Sequence, residues 1–597
     1  MFDKLSLKRL AAPLFALALA ACASGSMPGV SQQSPPRGEA MATAANPHAV
    51  NAAVEILREG GSAVDAAIAA ELVLGLVEPQ SSGIGGGGFM LFYDASNENI
   101  SGYDGRELAP AGASPAMFLD ARGRPIPFMD AQASGRSIGT PLLISMMKLA
   151  HEDHGRLPWA RLFEPAIRLA ENGFVISPRL AGFITYAGGP GGRLRADFTA
   201  RAYFFDRQGN PLQAGDTLRN PDYAATLRAI AEQGPRAMSE GAIAEGIVAA
   251  ARRNPRGGSL ALSDLSAAQA RRFEPVCGPY RAHHVCSTAP PASGNALIAI
   301  LGMYERARPR PEGVNSADDW SAFLWASRLA YADRDHYMAD DQFGPVPAQE
   351  LISPDYLGAR ALLIDPAHAP AGRINPGAPT GTQGIYDMWG TDLGDDHGTT
   401  HLAIVDGWGN AVSMTATVES LFGSQRMTNG FFLNNQLTDF SFQPTLNGRP
   451  VANAVAPGKR PRSSMTPVIV TDRDGDLELV VGSPGGSSII AYTARTTIGI
   501  LDWNLPVQEA INVGNATART ETVAAEINRF PPGIAEALTA RGWTLQQTSL
   551  GEVSGIHAIR VTPRGLEGGA DPRREGAVGR VPAPAAAPAP SSGRASR

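Results

Sequence analysis

The chain has 597 residues, of which 44% are hydrophobic and 18% charged, a composition typical of a large globular protein. Its formal net charge is -6, aromatic residues make up 7%, and no run of five or six basic residues occurs. This pattern argues against a nucleic-acid-binding protein, whose surface would carry a basic patch.

The first residues have the pattern of an export signal. Basic residues precede an apolar run from Leu10 to Ala21, which is too short to span a bilayer as a helix. The run ends in Leu19-Ala20-Ala21-Cys22, which resembles a bacterial lipobox and implies lipid modification of Cys22; an ordinary signal with an incidental cysteine is the alternative. We therefore predict a signal over residues 1–22, a flexible tether over residues 23–45, and a lipid-anchored protein of the bacterial periplasm.

From Pro47 onward the pattern is that of a globular protein, and as far as about residue 385 it is mainly helical. Apolar residues recur three and four apart over Ala49 to Glu59 and over Ser62 to Leu74, where Ser62 is a plausible cap and Gly75 follows the predicted end. A glycine cluster, Gly83 to Gly88, precedes a predicted strand. Since the cluster lacks the Lys-Ser/Thr of a phosphate-binding loop, we do not interpret it as a nucleotide site.

The two cysteines beyond the signal lie in a predicted hairpin. If the chain turns at Arg281-Ala282, Tyr280 faces His283 and Cys277 faces Cys286, within the range of a disulfide bond. An exported protein permits this bond. Two separate buried thiols fit the sequence equally well, so both interpretations remain open.

Strands return after residue 398. Leu402 to Val405 and Ala411 to Val418 flank Gly407-Trp408-Gly409-Asn410 and are predicted to form a hairpin, with further strands downstream. A helical first part and a strand-rich second part predict helices that cover stacked sheets, an α+β fold. The tail over residues 573–597 is low in complexity and is predicted to be disordered.

Two threonines open this hairpin, in the segment Gly398-Thr399-Thr400-His401. With a four-residue loop, Thr400 faces Thr417, so Thr399 lies beside Thr417 within a register error of one residue. A threonine hydroxyl is a weak nucleophile without a base beside it, and a chain cut before Thr399 would supply that base as its own α-amine. Threonine is also common in strands because it is β-branched, so this pattern alone leaves catalysis open.

Six motifs follow one another in order: Gly85 to Phe89, Asp104 to Pro110, Thr399 to His401, Asn434 to Phe440, Lys459 to Pro467, and Gly482 to Ser487. The series closely resembles the γ-glutamyltransferase family of N-terminal-nucleophile hydrolases. The resemblance implies a four-layer αββα fold and autocatalytic cleavage between Gly398 and Thr399. A large subunit, residues 46–398, and a small catalytic subunit, residues 399–572, would then remain associated as a heterodimer in one globular unit.

The resemblance also implies a role for each matching residue. Thr399 carries over as the nucleophile, Thr417 as its hydroxyl partner, and Gly485 and Gly486 as backbone N–H donors to the oxyanion. The substrate head group would be an amino acid, so its carboxylate needs a cation and hydroxyl donors, and its ammonium needs acceptors. The residues implied for head-group binding are Arg106, Ser463 and Ser464 for the carboxylate, and Gln436 and Asp439 for the ammonium.

Two features depart from the family pattern. Glu419 stands where members often have asparagine, two residues past Thr417. A carboxylate there would hold an ammonium by charge, or it would indicate a different head group. The segment between Phe440 and Asn453 is shorter than the lid loop of lidded members, which would leave the site open to bulky substrates or acceptors.

The resemblance thus implies an exported γ-glutamyltransferase and glutathione hydrolase. Its partners would be glutathione or other γ-glutamyl compounds and amino-acid or peptide acceptors, with no metal or organic cofactor. The segment His151-Glu152-Asp153-His154 lacks the His-Glu-x-x-His spacing of a zinc site. The alternatives are a related acylase of the cephalosporin or glutaryl type, with the same nucleophile, and an unprocessed envelope-binding lipoprotein.

Overall fold

The computed structural model describes residues 38–190, 192–380, 398–446, 448–548 and 554–584. Two large antiparallel sheets form its centre. Their strands, numbered in chain order, are β1 (Ala40–Ala44), β2 (Gly87–Asp94), β3 (Asn99–Asp104), β4 (Arg271–Phe273), β5 (Val276–Tyr280), β6 (His283–Ser287), β7 (Thr399–Val405), β8 (Ala411–Thr417), β9 (Val468–Thr471), β10 (Leu477–Gly482), β11 (His557–Thr562), β12 (Gly565–Ala570) and β13 (Ala577–Val581).

The first sheet has seven strands in the order β13-β1-β7-β8-β2-β3-β4, and the second has six in the order β12-β11-β10-β9-β6-β5. Smaller strand groups lie outside them: Phe174–Val175 with Thr217–Leu218, Met427–Thr428 with Phe431–Phe432, Thr445–Leu446 with Arg449–Pro450, and Ala516–Thr517 with Thr522–Ala525 and Thr544–Gln547.

Helices cover the outer face of each sheet. Their bounds are Pro47–Arg58, Ala63–Val77, Phe128–Gln132, Leu143–His154, Glu164–Asn172, Pro178–Gly188, Phe198–Phe204, Pro221–Gln233, Arg236–Ser239, Gly241–Arg252, Leu262–Ala267, Gly294–Ala307, Ala317–Tyr337, Pro354–Ala361, Ile489–Leu501, Val507–Asn512 and Ile534–Ala540. Among the residues that the structure describes, none of these helices combines the length and apolar character needed to cross a membrane.

Alternate residues of the central strands face different hydrophobic cores. On β7, Leu402 and Ile404 pack with the helices between residues 47 and 252, whereas Ala403 and Val405 pack between the sheets against Ile469 of β9. Successive side chains of a strand point to opposite faces, so a strand with this pattern is buried on both sides. The first sheet is therefore an inner layer.

The second sheet is the other inner layer. Its residues Val468 and Val470 lie in a separate core with helices Gly294–Ala307, Ala317–Tyr337 and Ile489–Leu501. The cores are stacked as helices against sheet, sheet against sheet, and sheet against helices. This confirms the predicted α+β fold of four αββα layers.

The helix Ala63–Val77 shows how sequence and packing together determine a boundary. Ser62 caps it as predicted: the Ser62 hydroxyl accepts the N–H of Asp65, and the Asp65 carboxylate accepts the N–H of Ser62. The helix continues past the predicted end, through Gly75. A Cβ at Gly75 would lie 3.0 Å from the Gly83 Cα, so this glycine serves close packing within the helix.

Both ends of the described chain correct predicted boundaries. Strand β1 lies within the predicted tether of residues 23–45, and it pairs with β7 on one side and β13 on the other. Strand β13 lies within the tail of residues 573–597 that was predicted to be disordered. The local sequence does not indicate these strands, because each is stabilised by pairing with a strand from a distant part of the chain.

The hairpin of β5 and β6 agrees with its predicted register. Tyr280 pairs with His283 and Cys277 with Cys286, around the turn at Arg281, whose φ is 56°. A disulfide joins Cys277 to Cys286 in the structure. Of the two interpretations that the sequence left open, the geometry therefore favours the disulfide bond.

Candidate active site

The hairpin of β7 and β8 brings two threonines together. Thr399 begins β7 and lies directly opposite Thr417, the last residue of β8. The predicted four-residue loop is wrong by one residue, because Val405 pairs with Ala411. Asp406 belongs to the loop, where its carboxylate accepts backbone N–H groups of the turn. This shift places Thr399, and not Thr400, opposite Thr417.

The two hydroxyls form one hydrogen-bonded unit with Gly398. The Oγ1 atoms of Thr399 and Thr417 lie 3.1 Å apart. The Thr417 hydroxyl donates to the Gly398 carbonyl at 3.1 Å and accepts the N–H of Glu419 at 2.8 Å. Because a hydroxyl carries a single proton, Thr399 is the donor in the bond between the threonines. Thr417 therefore contacts both the predicted nucleophile and the carbonyl that precedes it.

The backbone around Gly398 is tightly packed. A Cβ at Gly398 would lie 2.3 Å from the carbonyl oxygen of Glu419 and 2.5 Å from that of Ser420, so only glycine permits this approach. Glu419 itself has a φ of 83°, a conformation that costs a non-glycine residue roughly 1 to 3 kcal/mol. The segment after β8 is thus held in a strained conformation against the predicted cleavage point.

Arg574 holds the backbone of Thr399 from the other side. Its Nη1 donates to the Thr399 carbonyl at 2.9 Å, its Nε donates to the Ser554 carbonyl at 3.0 Å, and the guanidinium lies 3.9 Å from the Glu78 carboxylate. The Arg574 side chain is buried. Sequence reasoning missed this residue because it lies in the tail that was predicted to be disordered.

Arg106 is fixed in a buried position after β3. Its Nε donates to the Pro461 carbonyl at 3.1 Å, and its Nη2 donates to the Arg462 carbonyl at 2.5 Å. Its own backbone N–H donates to Asp104 at the end of β3. These contacts orient the planar guanidinium, which is the geometry needed to bind a carboxylate through two parallel hydrogen bonds.

Arg106 and Asp439 contact each other. The resemblance assigned Arg106 to the carboxylate of the head group and Asp439 to its ammonium, and in the structure Arg106 Nη2 lies 2.5 Å from Asp439 Oδ2. The Gln436 side-chain amide donates to the same carboxylate oxygen at 2.9 Å. Opposite charges in a buried site pair because an uncompensated buried charge is costly. The adjacent pair is complementary to a head group that carries both charges.

Glu419 and the two serines complete the polar lining. The Glu419 carboxylate accepts from the hydroxyl of Ser420 at 2.5 Å and from the side-chain amide of Asn435. The Ser463 hydroxyl accepts the N–H of Met465 at 3.1 Å. Ser464 is half-buried at the same site. Glu419 thus adds a second carboxylate to the one supplied by Asp439.

Gly485 and Gly486 form the turn before helix Ile489–Leu501. Their φ angles are 136° and 54°, a pair of left-handed conformations that suits glycine. The turn is supported by Tyr331, whose hydroxyl donates to the Ser487 carbonyl at 2.5 Å. The N-terminus of the helix also carries a partial positive charge, which favours an anion at this point.

One pocket brings nearly all the predicted site residues together. Those lining it are Thr399, Thr417, Gly486, Arg106, Glu419, Gln436, Asp439, Ser463 and Ser464. Gly485 lies in the adjoining turn rather than in the lining. The residues that sequence reasoning missed are Arg334, Thr438, Arg462, Met465 and Ile489. Arg334 and Ile489 lay outside the matched motifs, whereas Thr438, Arg462 and Met465 stood within them.

Two buried histidines, His401 of β7 and His557 of β11, lie in the central sheets near the two threonines. Nδ1 of His401 lies 2.9 Å from the hydroxyl of Thr415, and burial lowers the pKa of His401 well below its usual value, with His557 contributing. Burial also lowers the pKa of His557 to about 4. Both imidazoles are therefore neutral near pH 7 and serve packing between the sheets.

The pKa of His557 predicts a loss of stability in acid. Below about pH 6.5 His557 becomes protonated in the unfolded chain, whereas in the folded protein it stays neutral until about pH 4. The free energy of unfolding therefore falls as the pH drops from about 6.5 to about 4. The full shift corresponds to about 3 kcal/mol. Thermal unfolding followed from pH 7 to pH 4 should show a falling midpoint, and His557→Gln should reduce the fall, with His401 contributing part of the remainder. The matched change His284→Gln, at an exposed histidine, should leave the slope unaltered.

An αββα sandwich in which an inner strand begins with a hydroxyl residue behind a buried glycine has the architecture of a self-processing N-terminal-nucleophile hydrolase. The chain belongs to the gamma-glutamyltranspeptidase family, whose model matches residues 49–581.

Curated relatives and solved structures agree with this assignment. The glutathione hydrolase proenzyme of Escherichia coli is 36% identical over 90% of each chain, and that of Pseudomonas aeruginosa is 35% identical over 89% of this chain and 92% of its own. A cephalosporin acylase from Bacillus halodurans is similar over 93% of this chain and 98% of its own, with 26% identity and a TM-score of 0.79. The gamma-glutamyltranspeptidase of Helicobacter pylori is 33% identical over 57% of this chain and 96% of its own, with a TM-score of 0.54.

Proposed function

We propose that this protein is a γ-glutamyltransferase and glutathione hydrolase that cleaves itself between Gly398 and Thr399 and then uses Thr399 as its nucleophile. The observation that carries the proposal is the position of the Thr417 hydroxyl. It accepts from Thr399 and donates to the Gly398 carbonyl, so one group orients the attacking oxygen and polarises the bond to be cut.

Self-cleavage follows from this arrangement. The Thr399 hydroxyl oxygen attacks the Gly398 carbonyl carbon, its proton passes to Thr417, and the proton of Thr417 passes to the Gly398 oxygen. The proton on the Gly398 oxygen then passes to the nitrogen of Thr399, the bond between Gly398 and that nitrogen breaks, and the carbonyl re-forms as an ester. Water hydrolyses the ester, so that one subunit ends in the Gly398 carboxylate and the other begins with the free amine of Thr399.

The freed amine then acts as the catalytic base. Its reference pKa is about 7.7 to 8.0, so part of the enzyme has an unprotonated amine near neutral pH. Thr399 attacks the γ-amide carbonyl of the substrate, Gly485 and Gly486 donate to the oxyanion, and the leaving amine takes the proton from Thr399. The γ-glutamyl ester is resolved by water, which releases glutamate, or by the amine of an amino acid or peptide acceptor.

The head group of the substrate is bound by the paired charges. Its carboxylate contacts Arg106, Ser463 and Ser464, while its ammonium contacts Asp439 with Gln436 and Glu419. Two carboxylates around the ammonium favour a γ-glutamyl group over an acyl group without an amine. The contact between Arg106 and Asp439 places the two charges of the head group side by side.

Three p-nitroanilides test the choice of substrate. The γ-glutamyl compound carries both charges, the glutaryl compound lacks the ammonium, and the 4-aminobutyryl compound lacks the carboxylate. We expect kcat/KM for the γ-glutamyl compound to exceed each of the others by about 100-fold or more, because each analogue forfeits the charge-assisted hydrogen bonds to one of the two charges of the head group. Faster cleavage of the glutaryl compound would favour an acylase, the activity named for the similar Bacillus halodurans structure.

We further propose export to the periplasm and a lipid anchor at Cys22. The support is the lipobox-like segment Leu19-Ala20-Ala21-Cys22. Residues 1–37 lie outside the described residues, so this proposal stands on sequence alone.

A further inference from the structure

Arg334 lies at the edge of the candidate active site and belongs to none of the matched motifs. It stands in the last turns of helix Ala317–Tyr337 and lines the same pocket as Thr399 and Ser464. Its side chain is only 2% exposed. A buried arginine needs partners for its donors, and the identity of those partners shows what this residue does.

One partner of Arg334 is the side chain of Ser464. The Arg334 Nη2 donates to the Ser464 hydroxyl oxygen at 2.6 Å. Because a guanidinium has donors and no acceptor, Ser464 must accept in this bond, which leaves its own proton for another acceptor. A bond from a charged donor also polarises the hydroxyl and makes it a stronger donor. Ser464 is thereby prepared to donate to an anion in the pocket.

The second partner connects Arg334 to Ser463. The Arg334 Nε donates to the hydroxyl of Ser293 at 3.0 Å, and Ser293 donates to the Ser463 carbonyl at 2.6 Å. The Ser463 side chain accepts the N–H of Met465, so its proton is also left for another acceptor. Arg334 thus positions Ser464 directly and Ser463 through Ser293. In each of these contacts the serine hydroxyl accepts or takes no part, so its proton can be donated to a ligand.

The orientation of Arg334 is itself fixed. Its Nη1 donates to the Asp335 carboxylate at 2.8 Å, and the other oxygen of Asp335 accepts from Arg519 at 2.9 Å. A guanidinium fixed on several sides holds Ser464 in one position at little further entropic cost. The network therefore has the rigidity that a binding site requires.

We propose that Arg334 is a positioning residue that makes Ser463 and Ser464 donors to the carboxylate of the substrate. The inference rests on the proposed γ-glutamyl function, and it adds the determinant that selects acyl groups carrying an α-carboxylate. Arg334 acts through the two serines, and Arg106 supplies the direct cationic contact.

The test compares two substrates on wild type, Arg334→Gln and Arg334→Lys. For the γ-glutamyl p-nitroanilide, Arg334→Gln should raise KM about tenfold while kcat changes less than about threefold. For the 4-aminobutyryl p-nitroanilide, which lacks the carboxylate, kcat/KM should stay within about twofold of wild type. Arg334→Lys keeps a donor and a charge, so it should recover part of the lost affinity for the γ-glutamyl compound.

A double-variant cycle separates positioning from general damage. If Arg334 acts through Ser464, the KM of Arg334→Gln/Ser464→Ala should be no higher than that of the worse single variant. Additive losses, or equal losses on both substrates, would overturn the positioning role. If Arg334→Gln remains an uncleaved chain, Ser293→Ala serves in its place, because it removes the bridge between Arg334 and the Ser463 carbonyl without removing a charge. This variant must raise KM for the γ-glutamyl compound and leave kcat/KM for the 4-aminobutyryl compound unchanged.

The same data separate this inference from the proposed function. A wild-type protein that cleaves neither compound contradicts the γ-glutamyl function itself. A wild-type protein that cleaves the γ-glutamyl compound, with variants that lose activity irrespective of the carboxylate, contradicts only the role of Arg334.

Discussion

Replacing Thr399 with valine is expected to leave the protein as one uncleaved chain without γ-glutamyl hydrolysis or transfer. Valine has nearly the shape of threonine and keeps the β-branched packing of the strand, but it lacks the oxygen that attacks Gly398. A denaturing gel should show a single band in place of two. The rate with γ-glutamyl p-nitroanilide should fall to the background.

The adjacent Thr400 provides the matched control. It is buried on the opposite face of β7, and within the described part of the chain its hydroxyl oxygen makes no hydrogen bond. Thr400→Val removes the same group from the next residue, so cleavage should proceed and the activity should remain within about threefold of wild type. Cleavage of the Thr399→Val chain, or its loss in Thr400→Val, would contradict the role of Thr399.

Thr417→Val is expected to slow self-cleavage and to lower kcat by about 100-fold or more with little change in KM. The substitution removes the donor to the Gly398 carbonyl and the acceptor that orients the Thr399 hydroxyl. Loss of one preorganised donor at the reacting Gly398 carbonyl should slow self-cleavage by about 10²- to 10³-fold. In the cleaved enzyme kcat falls because the Thr399 hydroxyl loses the acceptor that orients it. A time course of subunit formation on a gel, followed by steady-state kinetics of the cleaved fraction, measures both effects.

Thr417→Ser keeps the hydroxyl and serves as the control for this prediction. We expect it to process and to retain most of kcat, since only a methyl group is lost. Equal defects in Thr417→Val and Thr417→Ser would show that packing of the methyl group matters, and would remove the hydroxyl from the mechanism.

The local sequence pattern and the ordered motifs predicted many of the helices and hairpins of this protein and the layering of its fold. Helical periodicity, the Ser62 cap and the hairpin at Arg281 depend on neighbouring residues, so they are visible in the sequence. The αββα layering followed from the family resemblance, and the alternation of Leu402 and Ala403 between two cores confirms it.

Features made by distant residues could not be predicted in the same way. The loop after β7 was misjudged by one residue because Asp406 accepts turn N–H groups, and strand β1 was hidden because its partners are hundreds of residues away. Arg574 and Arg334 reach the site from the C-terminal segment and from a helix, and their contacts depend on the complete fold. The contact between Arg106 and Asp439 belongs to the same class.

Sequencing the N-terminus of the smaller fragment of the purified protein tests the central claim most directly. We expect two fragments, with the smaller one beginning at Thr399-Thr400-His401 and the larger one ending at Gly398. A single intact chain that nevertheless cleaves γ-glutamyl p-nitroanilide, or a fragment that begins at any other residue, would contradict it.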